Sequence, residues 1–130
     1  MELTLRPVSD ALGAEVVVLD LLRRLDDVTF AFVHCAFLDH PVLVFREQTL
    51  STESQIAILR RFGPIDLHPA DDAPHPDHPE VMLVSTRKRG GKYVGLSDVG
   101  PMWHSDIAYK ERTALWSMLY AIEVLDHSIS

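Results

Sequence analysis

His40-Pro41-Val42-Leu43-Val44-Phe45-Arg46-Glu47-Gln48 runs through Thr49-Leu50 into Ser51-Thr52-Glu53-Ser54-Gln55-Ile56-Ala57-Ile58-Leu59-Arg60-Arg61-Phe62-Gly63-Pro64. Five signals follow one another in it. Pro41 pushes His40 out of the α region, so any helix before it ends there. Val42 to Phe45 is short, continuous and apolar, which predicts a buried strand. Ser51 or Thr52 caps a helix, and Glu53 places negative charge in its first turn. Ile56, Leu59 and Phe62 recur at intervals of three and predict one buried face. Gly63-Pro64 stops the helix, with glycine expected in a left-handed C-cap.

Upstream, Asp26 and Asp27 are N-cap candidates for a helix through about Leu38. Cys35 sits in its apolar run, Phe30 to Leu38, and reads as a small buried hydrophobe. Leu21 to Leu25 is a connector. Ala14 to Leu19 carries the β-branched run Val16-Val17-Val18 and predicts a strand entered through Gly13, and residues 3–6 predict another. Downstream, Asp66 to Glu80 is rich in Pro, Asp and His and reads as an irregular loop. Val81 to Ser85 predicts a strand. Arg87 to Gly100 reads as a long loop, whose basic cluster (Lys88, Arg89, Gly90, Gly91, Lys92) is expected to be solvated and mobile, with an anion-binding role as the alternative. Leu115 to Leu125 fits a helix by propensity. It also fits a strand buried between layers, with Leu115, Ser117, Leu119 and Ala121 on one side and Trp116, Met118, Tyr120 and Ile122 on the other.

The chain has 130 residues, 47% hydrophobic and 24% charged, with a formal net charge of -7. This suits one globular domain. No broad basic surface is available for nucleic acid. The single cysteine, Cys35, excludes an internal disulfide. No secretory signal and no apolar run near the roughly 20 residues of a membrane span is found, so a soluble cytoplasmic protein is expected.

The chemistry centres on Trp103-His104-Ser105-Asp106. Side chains two apart on an extended segment share a face. His104 and Asp106 can therefore offer one imidazole nitrogen and one carboxylate oxygen to a single ion. With a second histidine they would form a two-His-one-carboxylate triad, which leaves positions on Fe(II) open for a keto acid and O₂. Alone, His-x-Asp is weak, and a histidine hydrogen-bonded to a nearby carboxylate explains most chance copies. His75 and His78, with His68, show no recognised ligand spacing.

Several pieces occur in a fixed order: Gly13-Ala14-Glu15-Val16, Leu19-Asp20-Leu21, Val42 to Gln48, Arg61-Phe62-Gly63, His68-Pro69, Trp103 to Asp106, and Leu119-Tyr120-Ala121. In this order the chain resembles the taurine dioxygenase family, which includes 2,4-dichlorophenoxyacetate dioxygenase. The resemblance runs from about Leu3 to Leu125. It implies an α+β, mainly β chain: the N-terminal portion, residues 1–130, of a dioxygenase domain. The implied fold is a partial double-stranded β-helix, a cupin-like jelly roll flanked by helices and truncated here. The implied activity couples oxidative decarboxylation of 2-oxoglutarate to hydroxylation of a small organic acid.

By the same resemblance His104 and Asp106 match the Fe(II) ligands, and 2-oxoglutarate is the co-substrate. His68 matches a histidine lining the substrate pocket; a plain loop histidine in a Pro-rich turn is the alternative. Where taurine enzymes carry a pocket tyrosine three residues later, this chain has Asp71, whose charge opposes a sulfonate or a carboxylate, so taurine itself is not the expected substrate. Trp103 is expected to pack beside the metal-binding strand, stacking on the substrate being the alternative. After Ala121-Ile122-Glu123-Val124 the family usually continues to Pro and Gly-Gly-Asp-Thr, whereas this chain reads Leu125-Asp126-His127-Ser128-Ile129-Ser130. The family's distal histidine and its 2-oxoglutarate-binding arginine lie more than a hundred residues further on, and neither is matched by His127 or Arg112. Two classes are therefore expected: an oxygenase portion, or a non-catalytic remnant or binding module keeping part of the fold. Unpaired strand edges favour self-association into a homo-oligomer.

Overall fold

In the computed structural model, residues 3–67, 74–99 and 102–124 are described. The chain divides into two compact units, Met1–Pro64 and Ile65–Ser130.

The first unit is built around β2 (Ala14–Val17), whose Ala14, Glu15 and Val16 are buried. β1 (Thr4–Pro7) pairs with it antiparallel, and β3 (Leu43–Val44) pairs with it parallel on the other side. A parallel pair needs a crossover, here supplied by helix α1 (Asp27–Asp39). Asp26 caps α1 by accepting from the Thr29 N–H at 2.7 Å. His40, forced to an extended φ of -127° ahead of Pro41, ends it. β3 is shorter than the apolar run Val42 to Phe45 predicts and only half-buried, because it is the sheet's edge.

Helix α2 (Thr52–Phe62) starts at Ser51, whose Oγ accepts from the Ser54 N–H at 3.1 Å. Ile56 is buried, as its spacing predicts. Gly63 does not take the expected left-handed cap. Its φ of 153° and ψ of -177° lie in an extended region open essentially to glycine alone. Phe30, His34 and Phe37 of α1 surround the Phe62 ring, with Phe30 edge-on at 4.8 Å between centroids. Cys35 is exposed, contrary to the reading from composition. Val33 and Ala36 are the buried positions of α1, and Cys35 falls between them on the helix's outer side.

Three polar ties lock this unit. Glu15 stands opposite Arg6 in register and meets its guanidinium at 2.6 Å, while Arg46 Nε approaches the same carboxylate at 3.4 Å. Gln48 donates to the carbonyls of Leu19 and Arg46, each at 2.8 Å, and accepts from the Leu21 N–H at 2.8 Å. Arg61 reaches from α2 to the start of α1, bonding the Leu25 carbonyl and the Asp27 carboxylate at 2.6 Å each and covering the Phe30 ring.

In the second unit the segment predicted as a strand, Val81 to Ser85, makes isolated bridges: Met82 to Pro74 and Val84 to Leu96. The expected mobile loop is a β-hairpin, β4 (Lys88–Arg89) and β5 (Lys92–Tyr93), closed by Gly90 and Gly91 at φ 57° and 80°. Two consecutive positive-φ residues are what a type I′ hairpin turn requires. Residues 115–121 form neither a helix nor a paired strand. Burial alternates along them, with Trp116, Met118 and Tyr120 half-buried and Leu115 and Leu119 exposed. The period of two is as the strand reading expects; burial on both faces is not, since the Leu115/Leu119 face has no layer over it among the described residues. No jelly-roll layer pair is formed among the described residues, which hold a three-stranded sheet and a two-stranded one. No helix is long and apolar enough to cross a membrane among the described residues.

Candidate metal centre

The second unit carries the site on residues 102–110. His104 and Asp106 do not sit at the end of an assigned strand. Residues 104 and 105 are irregular, and a turn begins at Asp106. Ile107 adopts φ 54°, which a β-branched residue reaches only against steric resistance, at about 1–3 kcal/mol. The chain then bends through Lys110, whose N–H bonds the Ile107 carbonyl at 3.2 Å. The Lys110 ammonium anchors this turn to Asp66 at 2.8 Å. Their hydrogen bond lowers the Asp66 pKa and raises that of Lys110, so both groups stay charged.

Within this turn the two predicted ligands meet. His104 Nε2 lies 3.1 Å from Asp106 Oδ1, and Nδ1 lies 2.8 Å from the Met102 carbonyl oxygen. A carbonyl only accepts, so Nδ1 carries a hydrogen and donates it. Nε2 therefore holds the lone pair of the neutral ring, and it faces a carboxylate. Two acceptors at that distance need a shared cation. The same contacts raise the His104 pKa above its ordinary value. The Met102 hydrogen bond is the main cause; desolvation opposes it and the Asp106 charge adds to it.

The same spacing suits a metal ion. Two donors at right angles, each about 2.1 Å from an ion, stand about 3.0 Å apart. A ring N–H fixed on a backbone carbonyl is the usual way a ligating histidine is held in orientation. The donor set, one imidazole nitrogen and one carboxylate oxygen, thus fits two positions of a facial triad. Among the described residues no third His, Cys, Asp or Glu joins them. Both side chains are open to solvent, 50% and 61% exposed.

His68 and Asp71 lie outside the described residues. Trp103 does not pack beside the pair: its side chain is fully exposed. His75 and His78 approach at 5.1 Å between ring centroids, but His75 Nδ1 accepts from the Asp77 N–H at 3.2 Å, which occupies its lone pair. The Met102 carbonyl and the Asp66–Lys110 anchor escaped sequence reading. A backbone acceptor leaves no residue-type signal, and the anchoring pair is far apart in sequence.

The profile of the taurine catabolism dioxygenase TauD, TfdA family matches residues 4–127. The chain belongs to this family. It is 33% identical to pentalenolactone F synthase of Streptomyces arenae, across 95% of this chain and 42% of that protein. It is 42% identical to the (S)-phenoxypropionate/alpha-ketoglutarate-dioxygenase of Delftia acidovorans, across 82% of this chain and 37% of that one. The crystal structure of a taurine dioxygenase from Burkholderia xenovorans superposes with a TM-score of 0.54 at 36% identity, over 59% of this chain and 28% of that one. The chain thus spans less than half the length of these family relatives.

Proposed function

We propose that this chain is the N-terminal portion of an Fe(II)- and 2-oxoglutarate-dependent dioxygenase domain. In that reading His104 Nε2 and Asp106 Oδ1 hold Fe(II), and His68 lines the substrate pocket. The metal, when bound, supplies the chemistry that couples 2-oxoglutarate decarboxylation to hydroxylation of a small organic acid. The chain's own part is positional. Met102 fixes the imidazole tautomer, and the turn through Ile107, anchored by Lys110, sets Asp106 beside it. The carrying observation is the 3.1 Å approach of Nε2 and Oδ1 with Nδ1 tied to a backbone carbonyl, in a chain of this family. A jelly roll completed by further strands, in a cytoplasmic enzyme, belongs to the same proposal. The phenoxypropionate relative favours an aryloxy acid over taurine as substrate class.

The 130 residues alone are not expected to turn over 2-oxoglutarate. They hold one imidazole and one carboxylate for the metal, and no arginine in the context that pairs with the 2-oxoglutarate carboxylate. Lost positioning is worth up to roughly 7–11 kcal/mol of barrier. Two measurements test the proposal. Mn(II) titration followed by paramagnetic resonance should show weak binding that falls at least about tenfold in both His104→Ala and Asp106→Ala; binding unchanged in both would refute the ligand assignment. Succinate release from 2-oxoglutarate with Fe(II) and ascorbate should be absent. Release abolished by His104→Ala would keep the ligands but show that the missing groups come from elsewhere, such as a second copy.

A further inference from the structure

Residues 81–97 contain no Asp or Glu, in a chain with 19 acids, yet they hold Arg87, Lys88, Arg89 and Lys92. The β4–β5 hairpin sorts these four. Lys88 lies over the Tyr93 ring at 4.6 Å. Arg87 is paired with Glu123. Arg89 and Lys92 are directly opposite each other in the ladder. They share one face of the ribbon at its exposed end, and no ion-pair partner for either occurs among the described residues. Like charges directly opposite destabilise a strand pair, and here the Gly90-Gly91 turn forces the register.

We propose that the Arg89/Lys92 face binds a doubly charged tetrahedral oxyanion, of the phosphate or sulfate kind. A dianion neutralises both cations and offsets their repulsion; a monocarboxylate neutralises only one. A guanidinium and an ammonium together offer several N–H donors to adjacent oxygens of one such group. The proposal concerns this hairpin alone and stands apart from the metal centre.

Equilibrium dialysis of radiolabelled inorganic phosphate against the 130-residue chain tests it, with sulfate or acetate as competitor at matched ionic strength. Saturable phosphate binding is expected, displaced by sulfate and not by acetate. Lys92→Glu should lower the affinity at least about tenfold. That change places opposite charges across the ladder, so the hairpin keeps its pairing while losing the site. Arg23→Glu, at an exposed position of the first unit, makes the same change in net charge and should leave binding within about twofold. Non-saturable binding, equal displacement by acetate, or equal losses in the two variants would each overturn the proposal and leave a solvated basic turn.

Discussion

The two units hold themselves together differently. Every buried apolar residue among those described, Ala14, Val16, Leu21, Leu25, Val33, Ala36 and Ile56, belongs to the first unit. So do the Glu15, Gln48 and Arg61 ties that join residues distant in sequence. Among the described residues the second unit buries no large apolar side chain, and its long-range side-chain ties are the exposed ion pairs Asp66–Lys110 and Arg87–Glu123. It exposes Met102, Trp103, Tyr109, Leu115, Leu119, Ile122 and Val124, and its contacts are turns, a short hairpin and surface ion pairs. Yet the second unit carries the candidate metal ligands. The chain thus separates a region that is stable by its own packing from a region that carries chemistry on turns. Turns position ligands well only when something over-determines them, and here Met102 and Lys110 do part of that.

The strongest way to break this comparison is to remove core volume from each unit in turn. Ile56→Ala should destabilise the chain by about 2–5 kcal/mol, through lost transfer energy and a residual cavity. Leu119→Ala should change stability by no more than about 0.5 kcal/mol, because Leu119 is 85% exposed. Urea unfolding followed by circular dichroism reads both. Equal losses would mean that Leu119 packs in a core of its own, and the contrast would fail.

What could be read from the sequence follows the same division. Both helices were legible from end to end because their signals are local: Asp26 and Ser51 as caps, Pro41 and Gly63-Pro64 as stops. The strand at Ala14–Val17 was legible because β-branched Val16 and Val17 mark it locally, even though Glu15 lies within it. Cys35 was misread because an apolar run says a helix is amphipathic without saying which residues face inward. The hairpin was missed because Lys88, Arg89, Lys92 and Tyr93 lack strand alternation, although Gly90-Gly91 is itself a hairpin-turn signal. At the site, the pairing of His104 with Asp106 followed from a spacing of two. The turn at Ile107 and the exposure of Trp103 did not, since both depend on where the following chain goes.

A second test sharpens the account of the first unit. The Glu15 side chain is buried, 8% of the residue being exposed, and Arg6 first, then Arg46, hold its carboxyl below its ordinary 4.5. A depressed carboxyl contributes stability that is complete above its unfolded value and lost as pH falls through the folded one. Stability of the chain should therefore decline below about pH 4.5, and Glu15→Gln should flatten part of that acid limb while lowering stability at neutral pH. Denaturant midpoints between pH 3 and pH 7 check this. An unchanged slope in Glu15→Gln would place the acid sensitivity elsewhere, with the Asp66–Lys110 pair of the second unit the next group to examine.

The smallest expected effect on stability is also the most telling about the second unit. Along residues 115–121 the half-buried side chains alternate with exposed ones, the period of two that a strand would show, although the segment pairs with no strand among the described residues. In a strand, side chains and backbone groups alternate together, and an exposed apolar row marks a surface ready for pairing. The run from Thr113 to Ile122 contains no charged residue that would discourage this. Self-association of the 130-residue chain is therefore expected to depend on concentration and to pass through this row. Leu119→Lys should leave the unfolding midpoint nearly unchanged, since it disturbs no core, yet shift the chain toward monomer in analytical ultracentrifugation. If Leu119→Lys unfolds the chain, the residue is part of a core and the exposed-edge account is wrong. If the variant associates as the parent does, another surface drives association, and the apolar row at Leu115 and Leu119 is simply solvated.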